Sequence, residues 1–354
     1  MRRLVIALAN LAFTAAPALG DTIHVPGDQP TIQAAIDAAA PGDEIVIAAG
    51  TYSVAEPHVL PQGGLSFQGV GEVVLTGSGG AFFDVVVPQD QDLYRFEHLR
   101  FVTNNIGIRT SVPSNPFPDT HLEVVDCTFV DNNVGISARN TGNLEVADCR
   151  FEGGGMGIYM LYAWLHAQDC VFLGTEEMAI YGEDGPPQRL VERCLFADCM
   201  AAAVSVVWDY HFTCRQCTFV HCGRPYGAAI SAGGVATIVL DRCIVVDGPG
   251  RAFACSENER FTITCSNIWN NAAGDWSDDC AIGGADENGN FSADPLVCNA
   301  SAGDYTIDAS SPCTASGNAC GVIVGAYDVG CGVTGIPELP SAESSSLSAI
   351  KSRY

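Results

Sequence analysis

The chain has 354 residues, 47% of them hydrophobic and only 16% charged, and a formal net charge of -25. That composition can bury a large core and excludes a disordered polymer. Lys351 is the only lysine, so the basic surface needed to displace counterions is missing and nucleic acid is not an expected partner.

Residues 1–20 read as an export signal: Arg2 and Arg3 lead an apolar stretch from Leu4 to Ala16, and Ala18 and Gly20 put small residues before Asp21. The apolar run is shorter than the about 20 residues of a membrane span. No later segment is suited to cross a bilayer, so the sequence predicts a secreted or cell-surface protein without a transmembrane segment once the signal is removed. Sixteen cysteines agree with an oxidising compartment. Thr31 can cap a short amphipathic helix whose Ile32, Ile36, Ala39 and Ala40 share a face; Pro41-Gly42-Asp43 ends it and a strand begins at Glu44.

A repeat follows. Leu122-Glu-Val-Val-Asp-Cys127-Thr-Phe129 recurs as Leu144-Glu-Val-Ala-Asp-Cys149-Arg-Phe151, then from Leu165, Arg189, Phe212 and Ile238, with a cysteine-free copy from Tyr94 to Phe101. The aligned cysteines Cys127, Cys149, Cys170, Cys194, Cys217 and Cys243 are spaced by 22, 21, 24, 23 and 26 residues. Each unit carries two or three short runs of period-two alternation, in which Leu122, Val124, Cys127 and Phe129 point one way and turns fall near Asp126 and at Asn132-Asn133. Three short strands per repeat give an all-β chain, a single-stranded parallel β-helix of about ten coils counted on the repeat frame and closed at its start by the helix. Asn104/Asn105, Asn132/Asn133 and Asn270/Asn271 share a turn, where asparagine tolerates the left-handed backbone. Cys265 falls one place before the ladder and is expected to face outward. The β-helix domain spans 21–334, with a C-terminal cap from about 281, and a Pro-, Glu- and Ser-rich flexible tail runs over 335–354.

The opening Thr31-Ile-Gln-Ala-Ala-Ile-Asp37, with Pro41-Gly-Asp-Glu-Ile-Val-Ile47 and Ala49-Gly-Thr-Tyr52, resembles that of pectin-lyase-like right-handed β-helix proteins. Asp-Cys-x-Phe followed by Asn-Asn-x-Gly-Ile is similar to their coil, and Asp294-Pro-Leu296, Asp304-Tyr-Thr-Ile307, Ser311-Pro-Cys313 and Gly325-Ala-Tyr327 resemble the closing segment of bacterial surface members. The resemblance covers about residues 22–332 and is specific for fold. For function it implies little, since members include polysaccharide lyases, hydrolases, esterases and surface proteins. Lyases of the family use carboxylate-bound calcium and a lysine or arginine base.

Those requirements select candidates. Asp126, Asp148 and Asp169 precede consecutive ladder cysteines and would stack on one edge beside Glu123 and Glu145, where calcium would relieve their repulsion. Arg193 and Arg215 follow as base candidates, since Lys351 lies in the tail. The plainer reading is a row of turn aspartates neutralised by Arg193. Tyr159, Tyr162, Trp164, Tyr181, Trp208 and Tyr210 could line one groove and hold sugar rings, or cover the core. The seven histidines read as surface or turn residues. The six ladder cysteines are expected to be free, because their Cβ vectors run parallel rather than converging. Cys199 with Cys222, Cys255 with Cys265, and Cys280 with Cys298 are candidate disulfides, and Cys313, Cys320 and Cys331 would lock the cap. The leading reading is a monomeric structural or glycan-interacting surface protein with a polysaccharide partner. The alternative is a calcium-dependent lyase acting on acidic polysaccharides.

Overall fold

The computed structural model describes residues 20–60, 63–86, 92–111, 120–185, 189–208, 211–256, 260–276, 280 and 284–332. Most of the export signal and the tail expected over 335–354 lie outside them. The described chain winds into a parallel β-helix with three faces. The first face stacks strands from Thr22–Val25 through His121–Val125, Asn143–Ala147 and Trp164–Gln168 to Arg260–Thr264. The second stacks three-residue strands such as Thr128–Val130 and Arg150–Glu152. Together they form one 19-stranded sheet, because Glu44–Val54 and Leu65–Gly77 run unbroken from one face to the next. The third face is a separate nine-stranded sheet ending at Arg251–Ala254. Pairing is parallel and in register: Leu122, Leu144 and Leu165 are partners, as are Phe129, Phe151 and Phe172.

Register turns each repeat position into a column. Phe101, Phe129, Phe151, Phe172, Phe196 and Phe219 stack ring on ring, with centroids 4.6–4.8 Å apart and planes within 5°. Glycine faces these rings on the third strand, where a Cβ on Gly135 would lie 2.9 Å from the Phe151 ring. The ladder cysteines are buried and free, and Cys214 fills the inward column of Val191. Each ladder thiol donates to a carbonyl of the preceding coil, as Cys149 Sγ does to Val124 at 3.4 Å. Burial pushes the thiols of Cys149, Cys194 and Cys243 well up.

Most corners are turned by a left-handed residue. The first-corner column is His98, Asp126, Asp148, Asp169, Arg193, Gln216, Arg242 and Cys265; the second includes Asp131, Asp198 and Asn270; the third includes Asn140, Tyr162, Asp184 and Trp208, all with φ between 44° and 58°. That conformation costs about 1–2 kcal/mol for an ordinary L-residue and less for Asp or Asn. Their N–H groups still join the ladder, as Asp148 N donates to Gln168 O at 3.1 Å. The asparagine turn differs in detail from the sequence expectation. Asn104 and Asn132 are not themselves left-handed; they turn inward, and their Nδ2 groups donate at 3.0 Å to Leu75 O and Phe101 O of the preceding coil.

That column corrects the expected Cys199–Cys222 bond. Both residues occupy the inward asparagine place, their thiols reaching Phe172 O and Phe196 O as the amides do elsewhere, and both are free. Cys313 is also free, packed in a satellite core. The disulfides are Cys255–Cys280, Cys265–Cys320 and Cys298–Cys331, in place of the expected Cys255–Cys265 and Cys280–Cys298. Cys265 stands on the first corner, away from Cys255 at the end of the third face, so each finds a partner in the segment that follows.

That segment does more than close an end. Cys280, Cys255 and Trp276 plug the last coil, but residues 284–332 fold back along the second face as a strap. Gly325 N donates to Arg242 O at 2.8 Å and Ala326 N to Thr218 Oγ1 at 2.9 Å. Val220, Ile244 and Val246, outward on the second face, are buried against Ile307, Cys313 and Val324. At the other end Thr31 Oγ1 accepts from Ala34 N, starting the helix Ile32–Ala38, whose Ile32, Ala35 and Ile36 are buried. No described helix is long and apolar enough to cross a membrane.

His58 corrects the surface reading of the histidines: it is buried against Phe82 and Phe83, with Nδ1 3.0 Å from Gln33 Oε1 of the helix. Burial pulls its imidazole down to about 4. The unfolded chain binds this proton near pH 6.5 and the folded chain only near 4. Stability is therefore full above the unfolded value and lost as pH falls through that window. Denaturant midpoints measured from pH 7 to 4.5 should fall with pH in the native chain and less steeply in His58→Gln. A second expectation is chemical: thiol titration after unfolding without reductant should find the ten cysteines left by sixteen minus three pairs, and titration of the folded protein should find almost none.

Candidate functional site

Outward positions of the first face carry no single residue type. One column reads Glu123, Glu145, His166, Leu190 and Thr213; a second, two residues along each strand, reads Gln168, Glu192, Arg215 and Asp241. Here a groove of about 510 Å³ opens, lined by Glu145, Trp164, His166, His211, Thr213 and Arg215 among others. Arg189, which takes the place of Leu165 in the inward column, reaches its rim; its guanidinium donates to Ala163 O and Glu183 O and is buried.

Glu192, beside the groove, ties two of its polar side chains together. Its carboxylate lies 3.1 Å from His166 Nε2, 3.4 Å from Arg193 Nη1 and 3.8 Å from Arg215 Nη1. Arg215 also reaches Asp241 at 3.5 Å and keeps 41% of its side chain exposed. The groove thus offers an aromatic surface at Trp164, a cation at Arg215, two imidazoles and a hydroxyl, which together suit a polar, ring-containing ligand.

The sequence candidates separate. Arg215, Glu145 and Trp164 come together in the groove. Arg193 does not: it stands on the first corner, bidentate to Asp169 with both bonds at 2.8 Å, and that pairing holds its guanidinium even more firmly protonated. Asp126 pairs with His98 at 3.1 Å and Glu123 with Arg95 at 2.7 Å. These carboxylates do not fit a calcium site. Arg193 and Arg95 already neutralise Asp169 and Glu123, and among the described residues no three His, Cys, Asp or Glu side chains converge to hold a metal ion. The aromatic set spans more than one surface. Tyr159 and Tyr181 stack at 5.7 Å on the third face, with Arg139 5.0 Å over Tyr159. Tyr162 and Trp208 stand on the third corner, and Tyr162 OH donates to Asp184 at 3.1 Å. Tyr210 lies outside the described residues.

Sequence reading missed His211, Thr213 and Glu192. The signal was present in the register, which sets Glu192 beside Arg215 and diagonal to His166, but unlike residues in one column carry no visible periodicity.

Asp148 remains the least compensated member of its row: burial and the charges of Asp169 and Asp126 raise its carboxyl, against the pull of Arg193. Asp148→Asn should therefore fold and gain slightly in denaturant midpoint at pH 7, because asparagine keeps the left-handed corner without the repulsion. Asp148→Val should lose about 1–2 kcal/mol. Millimolar calcium should move neither midpoint.

Among comparisons with known proteins, the family profile described as "Right handed beta helix region" matches residues 117–268. No curated protein matches the chain significantly in sequence. Among solved structures, the Azotobacter vinelandii mannuronan C-5 epimerase AlgE6 A-module is similar at 14% identity with a TM-score of 0.43, covering 75% of this chain and 94% of that one. The PL6 family alginate lyase AlyGC is similar at 13% identity with a TM-score of 0.31, over 77% of this chain and 53% of that one. The parallel register, the repeated coil and the matched profile agree on the fold: the chain folds as a right-handed parallel β-helix, with the family's repeat region over residues 117–268.

Proposed function

We propose that the protein is a secreted or surface-attached glycan-interacting β-helix whose first face holds an extended saccharide. The carrying observation is the groove itself, which crosses successive coils and combines the Trp164 ring with His166, Thr213 and Arg215. A polymer of repeating rings suits a surface of repeating coils. Trp164 would offer a face to the C–H side of one sugar, and Arg215, His166 and Thr213 would donate to hydroxyl or carboxyl oxygens. Three disulfides agree with the extracellular placement that the export signal implies.

A lyase reading retains Arg215 alone as base candidate. Arg215 is drawn toward Glu192 and Asp241, and a carboxylate-bound metal to acidify a sugar carbon has no fitting ligand set among the described residues. Binding without bond cleavage is therefore favoured.

Affinity electrophoresis or calorimetry against extended polysaccharides should give binding that weakens about tenfold in Trp164→Ala, the loss expected for one aromatic contact of about 1.5 kcal/mol. Absorbance of unsaturated product should stay flat on the same polymers, with and without calcium. Product that forms in the native chain and vanishes in Arg215→Ala would replace this reading with the lyase.

A further inference from the structure

A second cleft, of about 450 Å³, lies between the strap and the second face, well apart from the first-face groove. Over coils such as Thr218–Val220 and Ile244–Val246 the strap packs directly on the solenoid. Over the strands holding Arg150, Val171 and Leu195 it leaves a gap. The floor is apolar, from Val171, Leu173 and Leu195, and the strap contributes the rings of Tyr305 and Tyr327. Polar groups stand at the rim. Asp198 carries one oxygen 3.6 Å from His221 Nδ1, and Asp304 Oδ1 accepts from the backbone N–H and hydroxyl of Thr306 at 3.1 and 2.5 Å. Arg150 is paired with Glu152. Burial raises both tyrosine hydroxyls, with Asp198 acting on Tyr305 and Asp169 on Tyr327.

The volume falls in the roughly 300–1,000 Å³ range of small-molecule sites. Aromatic rings over an apolar floor, ringed by a few hydrogen-bonding groups, match a molecule with one C–H face and an equator of hydroxyls. Charge selects further. Asp198 and Asp304 outweigh an Arg150 already neutralised by Glu152, so a carboxylated, sulfated or phosphorylated ligand would meet repulsion. Carboxylates are good acceptors for paired sugar hydroxyls.

We propose that this cleft is a binding site for an uncharged pyranose, a mono- or disaccharide unit, held by Tyr305 and Tyr327 with Asp198 and Asp304 accepting from its hydroxyls. The site is separate from the polymer groove and stands or falls independently of it.

The test uses the full chain and glucose, galactose, mannose and N-acetylglucosamine as probes, with glucuronate as the charged control. Saturation-transfer NMR and calorimetry should give saturable binding of at least one neutral sugar with a dissociation constant of about 1 mM. Tyr327→Ser and Asp304→Asn should weaken it about tenfold, glucuronate should bind about tenfold more weakly, and Trp164→Ala should leave it unchanged. Should Tyr327→Ser fail to fold, nitration of the native protein supplies the answer: the sugar should protect Tyr305 and Tyr327, mapped by mass spectrometry, and spare exposed Tyr226. Absence of saturable binding by every neutral sugar would overturn the proposal. So would glucuronate binding as tightly as glucose, unprotected Tyr305 and Tyr327, or binding lost in Trp164→Ala.

Discussion

In-register stacking of parallel coils governs this molecule. Once Leu122 pairs with Leu144 and Phe129 with Phe151, every position becomes a column at strand spacing, and each column must tolerate itself. Apolar columns do so by packing, as the phenylalanine rings do. Thiol columns do so by donating to the carbonyl beneath. Corner columns need a left-handed backbone, which explains the run Asp126, Asp148, Asp169 more simply than a ligand does. The same constraint makes like charge uncomfortable, and the chain relieves it by changing residue type along the column: the aspartates give way to Arg193, which clamps Asp169.

The surface obeys the opposite logic. Nothing requires outward positions to repeat, so Glu145, His166, Leu190 and Thr213 share a column with no common chemistry. This is where specificity can be written without disturbing the core. Arg189 is the exception: it enters the inward column, and its guanidinium fills the space that Gly182 and Gly185 leave open, where a Cβ would meet it at 2.5 Å. A local departure from the repeat thus marks the edge of the groove.

These two logics explain how much the sequence could disclose. The coil, its turns, the free ladder cysteines and the N-terminal helix were legible because they recur or carry a local cap. The groove was only partly legible. Trp164, Glu145 and Arg215 stood out by type, whereas Glu192 and His211 matter through neighbours one coil away. The strap was not legible, because outward Val220, Ile244 and Val246 look like ordinary strand residues until something covers them. The disulfide partners followed the strap: Cys320 meets Cys265 only because the segment doubles back. His58 was misread for a similar reason, since its burial comes from Phe82, Phe83 and the helix rather than from its own repeat frame.

The strap also alters how such a rod should come apart. A plain solenoid peels from either tip, layer by layer, since each layer touches only its neighbours. Here Thr218, Arg242 and Cys265, on three different layers, are laced to one returning thread at Ala326, Gly325 and Cys320. Under mechanical pull the distal layers would therefore release as one block, and gradual unravelling would be confined to the opposite tip.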